Sequence, residues 1–308
     1  MSAPSPGGDP QGVTLVVLAA GRATRYGGVK PLAPVGLAGE AVLDVLASDA
    51  LAAGFERLVI VVGPETGPAI RYHVERTWPG AVHVAFARQE RPRGTVDAVL
   101  AAGPLLDDRS PFGVANADDL PGESGLALLA GHLRRGEPTN AAVCYRLRAS
   151  LLGDAPVTRG TCRVGGTGLL DAVDERRRVT PLPDGRIVAD DGREPKELDP
   201  DQLVSVNLWG FRPELRPVLE EAARTRGREG DGRDDGEVLL PVVIDDLVAG
   251  RRSGVDGTEV RVQVLEADGR CIGVTHPGDV ALVQAELARE IARGDRPAPL
   301  WGAVAGGT

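Results

Sequence analysis

Lysine is nearly missing from this chain. Lys30 and Lys196 are the only two among 308 residues, so almost every cation is an arginine. An excess of positive charge is missing too: the formal net charge is -9 and the isoelectric point is near 5.1. That excludes the broad basic footprint of a general nucleic-acid binder. A phosphate-handling protein with this balance must gather its cations locally. Cysteines are few: Cys144, Cys162 and Cys271 are odd in number, far apart and without a CxxC pair. They exclude a zinc ribbon or a disulfide framework and read as reduced thiols of a cytoplasmic protein. No apolar run is long enough for a membrane span. Residues 1–12 are rich in Pro, Gly and Ser without an apolar stretch, so they read as a disordered tail rather than a signal peptide. With 42% hydrophobic and 26% charged residues, the rest suits a globular protein with a sizeable core.

What is present is an alternation. Val13–Leu18 is a continuous apolar run ending at a glycine-rich segment, the pattern of a strand buried on both faces. The pattern predicts a helix through Val42–Leu46 stopping at Gly54, then strands over 58–62, 81–87 and 112–116 with helices over 66–77 and 95–106 between them. Such an order implies an α/β fold with a doubly wound, mostly parallel sheet and right-handed crossovers. The second half holds strand-like pieces at 140–147, 161–164, 169–173, 203–211 and 260–265, a mixed extension of that sheet. Helices are expected over 238–249 and 280–293. Residues 182–201 read as loop, and 226–236, which lack any apolar residue, as a mobile surface loop. One domain over 13–300 is expected, with halves 13–138 and 139–300.

Three segments carrying chemistry follow strand ends, where ligands of such sheets bind. The first is Leu18-Ala19-Ala20-Gly21-Arg22-Ala23-Thr24-Arg25-Tyr26-Gly27-Gly28 ahead of Lys30. Glycines let backbone N–H groups approach phosphate oxygens. Arg25 adds a bidentate cation and Lys30 a compact one. No GKS or GKT follows, so this is no Walker loop, and GxGxxG is absent. The second segment is Gln89-Glu90-Arg91-Pro92-Arg93-Gly94-Thr95. Gln89 offers a donor and an acceptor to a base edge. Gly94 would let a flat base approach the backbone, and Thr95 fits an N-cap. The third is Asn116-Ala117-Asp118-Asp119. Carboxylates above a phosphate loop suit Mg²⁺. Adjacent strand residues face opposite ways, so Asp118 is the expected ligand and Asp119 the residue that positions the loop or a water.

These residues resemble the sugar-1-phosphate nucleotidyltransferases, whose fold is Rossmann-like of the GT-A type. Leu18 to Arg25 with Lys30-Pro31-Leu32 is similar to the family's LAAGxGxR…KPL signature, although Ala23 stands where the family usually has glycine. Gln89–Thr95 resembles its base-recognition segment and Asn116–Asp119 its metal segment. Ser205 to Phe211 resembles its sugar-facing strand, and Gly273-Val274-Thr275-His276 its late turn. The resemblance covers residues 13 to 300 and implies that 13–138 bind nucleotide and 139–300 the sugar. Leu18, Ala19, Ala20, Gly21 and Arg22 would cradle phosphates. Arg25 and Lys30 would stabilise the transferred and leaving phosphates. Gln89, Gly94, Thr95 and Asn116 would hold the nucleoside. Asp118 would hold Mg²⁺. Asp119, Gly160, Glu175, Arg176 and Asn207 would meet the sugar phosphate. A second acidic ligand is expected near 237–246, but Pro241 and Val242 occupy the matching positions, with Asp245 and Asp246 beyond.

The expected reaction joins a nucleoside triphosphate to a sugar-1-phosphate, with pyrophosphate leaving. The acceptor phosphate is already anionic, so positioning and charge neutralisation suffice. Two alternatives stand beside it: a cytidylyltransferase acting on a non-sugar phosphate or phosphonate, and a catalytically weak nucleotide-sugar-binding protein. Adjacent aspartates in place of DxD argue against a glycosyltransferase. Neither nucleic acid nor membrane is an expected partner, and a homo-oligomer through the last helix is left open.

Overall fold

The computed structural model describes residues 12–21, 27–226, 237–254, 257–297 and 300–302. Strands β1 (Thr14–Ala19), β2 (Arg57–Val62), β3 (Val84–Arg88) and β4 (Phe112–Asn116) form its parallel half. β1 lies between β2 and β4, and β3 is the outer strand beyond β2. Helices α1 (Val42–Ala52), α2 (Gly67–Thr77) and α3 (Thr95–Ala102) make the crossovers. Short strand β5 (Asp119–Leu120) and helix α4 (Gly122–Arg134) follow β4.

The second half continues the same sheet. It contains β6 (Asn140–Arg146), β7 (Val157–Val164), β8 (Leu170–Pro181), β9 (Ile187–Ala189), β10 (Glu197–Leu198) and β11 (Leu203–Phe211). Helices α5 (Leu215–Arg226) and α6 (Leu240–Val248) come next, then β12 (Val262–Glu266), β13 (Ile272–Gly273) and α7 (Asp279–Arg293). β11 pairs antiparallel with β4 and so joins the halves. The spatial order is β10-β9-β8-β7-β11-β4-β1-β2-β3, with β6 and β12 branching from β11.

Period-2 alternation along the central strands feeds two cores. Leu15, Val17, Leu58 and Ile60 pack with α1, α2, α4 and α7. Val16, Val59 and Val61 pack with α3, α5 and α6 on the other face. Each such side chain stabilises by about 1.5–3 kcal/mol, and having helices on both faces forces both sets of positions to be apolar. Two expectations need correction. Residues 182–201 contain β9 and β10, held over a small third core of Val179, Ile187, Ala189 and Leu198. The sequence pattern also marks neither α4 nor α5. Residues 1–11 and 227–236, read as tail and loop, lie outside the described residues. All three cysteines are free, with Cys144 and Cys162 Sγ 3.6 Å apart. No helix among the described residues is long and apolar enough to cross a membrane.

Candidate active site

The ends of β1, β2 and β4 place the three segments side by side. Ala19 lies opposite Val62, and Leu18 opposite Asn116. The Ala117 N–H then donates to the Leu18 carbonyl (3.1 Å), so the turns after β1 and β4 leave the sheet together. The Ala19 carbonyl accepts from Thr66 Oγ1 (2.9 Å), and a Cβ on Gly63 would come within 2.9 Å of the Ala20 carbonyl. The start of the phosphate segment is thus buttressed from β2. Gly21 is exposed, and a Cβ there meets nothing within 4 Å among the described residues. Arg22, Ala23, Thr24, Arg25 and Tyr26 lie outside the described residues.

Lys30 opens a single 3-10 turn, Lys30–Leu32, in which the Ala33 N–H returns to the Lys30 carbonyl. Its Nζ lies 3.5 Å from Asp118 Oδ2. Loss of water and the neighbouring Asp119 push the Asp118 carboxyl up to about 6, while Lys30 pulls it down. Asp119 Oδ2 accepts from Asn116 Nδ2 (3.0 Å), so Asp119 stiffens the turn. The turn is backed by β13: the Val274 N–H donates to the Asp118 carbonyl (3.0 Å). A Cβ on Gly273 would lie 2.3 Å from Asp119 Oδ1, so the late turn seen in the sequence supports the carboxylates. Among the described residues no three His, Cys, Asp or Glu side chains are grouped to hold a metal. One or two carboxylates are nonetheless what Mg²⁺ takes when substrate phosphates complete its shell, so Asp118, on a turn that Asp119 stiffens, fits that ion. Asp245 and Asp246 are engaged elsewhere: both hold Arg251, and Asp245 also accepts from the Val173 N–H.

The Gln89 backbone N–H donates to the Val62 carbonyl (2.9 Å), which seats the second segment at the end of β2. Two expectations change here. Gly94 has φ +93, and a Cβ would come within 2.4 Å of the Val238 carbonyl. The glycine is required because residues 93–96 pair with Val238, through Val96 N–H to Val238 O and Val238 N–H to Arg93 O. Thr95 is the first residue of α3 rather than its cap, and its Oγ1 accepts from the Leu240 N–H (2.7 Å) at the start of α6. Sequence reasoning missed Asp97, whose carboxylate holds the Gln89 amide (2.9 Å).

On the acceptor side three strands meet. Gly160 lies opposite Glu175 on one side and Ser205 on the other. The Val173 side chain would stand 3.0 Å from a Cβ on Gly160, so only glycine packs there without a shift. β11 bulges between Ser205 and Trp209, with Asn207 at φ +62. Asn207 Oδ1 accepts from Trp209 Nε1 (3.1 Å). Glu175 is partly exposed and receives Arg177 Nε (3.1 Å) at a cleft of about 410 Å³. Arg176 needs correction. It is 2% exposed, and its guanidinium is committed to Asp191 (2.7 and 3.1 Å) and to the Arg193 and Pro195 carbonyls. It cannot also serve a substrate phosphate; Arg177 and Arg193 line the cleft instead.

Residues 15–230 match the family model of the MobA-like NTP transferase domain. The chain is similar to the bifunctional protein GlmU of Methylibium petroleiphilum, 35% identical over 34% of this chain and 22% of that protein. It is 29% identical to the GlmU of Sorangium cellulosum over 59% of this chain and 40% of that protein. It therefore spans well under half the length of these relatives. A crystal structure of UDP-glucose pyrophosphorylase complexed with UDP-glucose shares the fold. The TM-score is 0.59 at 16% identity, covering 90% of this chain and 99% of that one.

Proposed function

The chain belongs to the MobA-like NTP transferase family and is a nucleotidyltransferase, and from that premise we propose that it joins a nucleoside triphosphate to a sugar-1-phosphate with the help of Mg²⁺. The observation that carries the reading is the Lys30–Asp118 pair, set beside the open Gly21 position at adjoining strand ends. In this reading backbone N–H groups near Gly21 receive the triphosphate, and Lys30 turns from Asp118 to the phosphates. Arg25, from the sequence motif, shares that charge. Asp118 would hold the ion, which when bound would neutralise phosphate oxygens, and Asp119 would keep the turn in place through Asn116. Glu175 and Asn207 orient the sugar hydroxyls, with Arg177 and Arg193 supplying cations at the sugar-phosphate side. The acceptor phosphate oxygen attacks the α-phosphorus in line, and pyrophosphate leaves. The protein acts by positioning and charge. The test is pyrophosphate release from a panel of triphosphates against sugar-1-phosphates, with and without Mg²⁺. Release with a non-sugar phosphate alone would overturn the acceptor, and release undiminished in chelator the metal.

A further inference from the structure

We propose that Asp97 is a positioning residue that fixes the Gln89 amide, so that the site selects bases carrying a ring N–H (uracil, thymine or guanine) over cytosine and adenine. The inference rests on the reading of Gln89 as the residue that meets the base. Gln89 Nε2 has two hydrogens. One reaches the Gly94 carbonyl (3.1 Å) and the other Asp97 Oδ2 (2.9 Å). Both partners only accept, so the reverse orientation would set Oε1 against two oxygens, one of them anionic. The amide is held by chemistry rather than by shape. Nε2 has no hydrogen left for a ligand.

Oε1 is what remains. It has no hydrogen-bond partner among the described residues, on a residue only 6% exposed. A cleft of about 440 Å³ opens beside Gln89 and Asp97, with Arg88 and Arg91 in its wall. An acceptor that loses its water to an incoming base must gain a donor or remain unpaired at a cost. Uracil N3–H, thymine N3–H and guanine N1–H provide one in the middle of the pairing edge. Cytosine N3 and adenine N1 present a lone pair at that point. Their amino hydrogens lie to one side, so using them brings this lone pair close to Oε1. Sites built around a hydrogen bond reject the analogue lacking it far more strongly than apolar pockets reject a missing methylene.

The experiment is calorimetric binding of UTP, CTP, GTP and ATP with Mg²⁺ and no acceptor, to the wild-type chain, Asp97→Ala and Asp97→Asn. The wild type should bind the better of UTP and GTP at least about tenfold more tightly than its amino counterpart, CTP or ATP. Asp97→Ala frees the amide to turn, and that ratio should shrink several-fold. Asp97→Asn, whose Oδ1 still accepts from Nε2, should keep most of it. A wild-type preference for CTP or ATP, or an unchanged ratio in Asp97→Ala, overturns the inference while leaving the nucleotidyltransferase reading intact. If none of the four triphosphates binds, the donor site is misplaced and both readings fall.

Discussion

The Lys30 ammonium and the Asp118 carboxylate, 3.5 Å apart, are each other's counter-ion. One follows β1 and the other β4, and the hydrogen bond from Ala117 to Leu18 keeps these exits together. In the proposed reading, the cation that would meet phosphate therefore rests, in the free protein, on the carboxylate that would hold the metal. Lys30→Met should tighten Mn²⁺ binding to the free protein by a few-fold, since it removes a competitor from a partly exposed pair of modest strength. The same change should lower pyrophosphate release on the order of ~100-fold, as loss of a transition-state donor does. Paramagnetic resonance of free Mn²⁺ reads the first and a coupled phosphate assay the second. Weaker Mn²⁺ binding in the variant would show that Lys30 supports the site rather than competes for it.

Arg25 lies outside the described residues, and its role comes from the motif Gly21-Arg22-Ala23-Thr24-Arg25. Arg25→Ala should cost ~3 kcal/mol of transition-state stabilisation. Asp118→Ala should be at least as severe. Asp118→Ala should leave the urea midpoint near that of the wild type, because its partly exposed pair with Lys30 contributes little to the fold. Wild-type turnover in either variant would move the reaction elsewhere.

The parallel strands are legible because burial on both faces leaves an uninterrupted apolar run, as in Leu15-Val16-Val17. Helix α4 is not. Gly122, Gly125 and Gly131 dilute its pattern, and Gly125 is there because a Cβ would strike the Tyr145 hydroxyl, a constraint from a distant strand. β9 and β10, three and two residues long, are too short to show a period. The site was legible as segments but not as orientations. Nothing in Arg176-Arg177-Arg178 says which guanidinium turns inward, since the register of β7 on β8 shifts beside them. Nor does sequence show that Gly94 serves Val238 or that Asp97 reaches back to Gln89.

The inward arginine gives a prediction of its own. Arg176 and the N–H groups of Arg177 and Arg193 hold the Asp191 carboxyl well below the usual carboxylate range. A depressed pKa stabilises the fold above the ordinary aspartate value, near 3.9, and that contribution is lost as pH falls below it. Arg176→Met should therefore lower stability by about 2 kcal/mol at pH 7. The gap from wild type should narrow near pH 3, where Asp191 of the unfolded chain takes up its proton while that of the folded chain is still held ionised. Urea unfolding at the two pH values reads both. A gap independent of pH would mean that Arg176 acts through packing alone. A raised acceptor KM with unchanged stability would return it to the substrate.

Gly21 and Gly273 separate what a glycine does for the fold from what it does for a ligand. At Gly273 the added methyl would collide with Asp119 Oδ1 at 2.3 Å and the Asp118 carbonyl at 2.8 Å. Gly273→Ala must push the carboxylate turn off β13, so it should destabilise the protein and weaken Mn²⁺ binding together. At Gly21 the methyl would meet nothing within 4 Å among the described residues. Gly21→Ala should therefore leave the melting temperature within about a degree of wild type, as a surface change without a clash does. It should nevertheless raise the KM for the triphosphate about tenfold or more, because the methyl occupies the space that phosphate oxygens need to reach the backbone N–H groups. If Gly21→Ala bound triphosphate as tightly as the wild type, phosphates would not pass over Gly21, and the cradle would have to begin later in the segment.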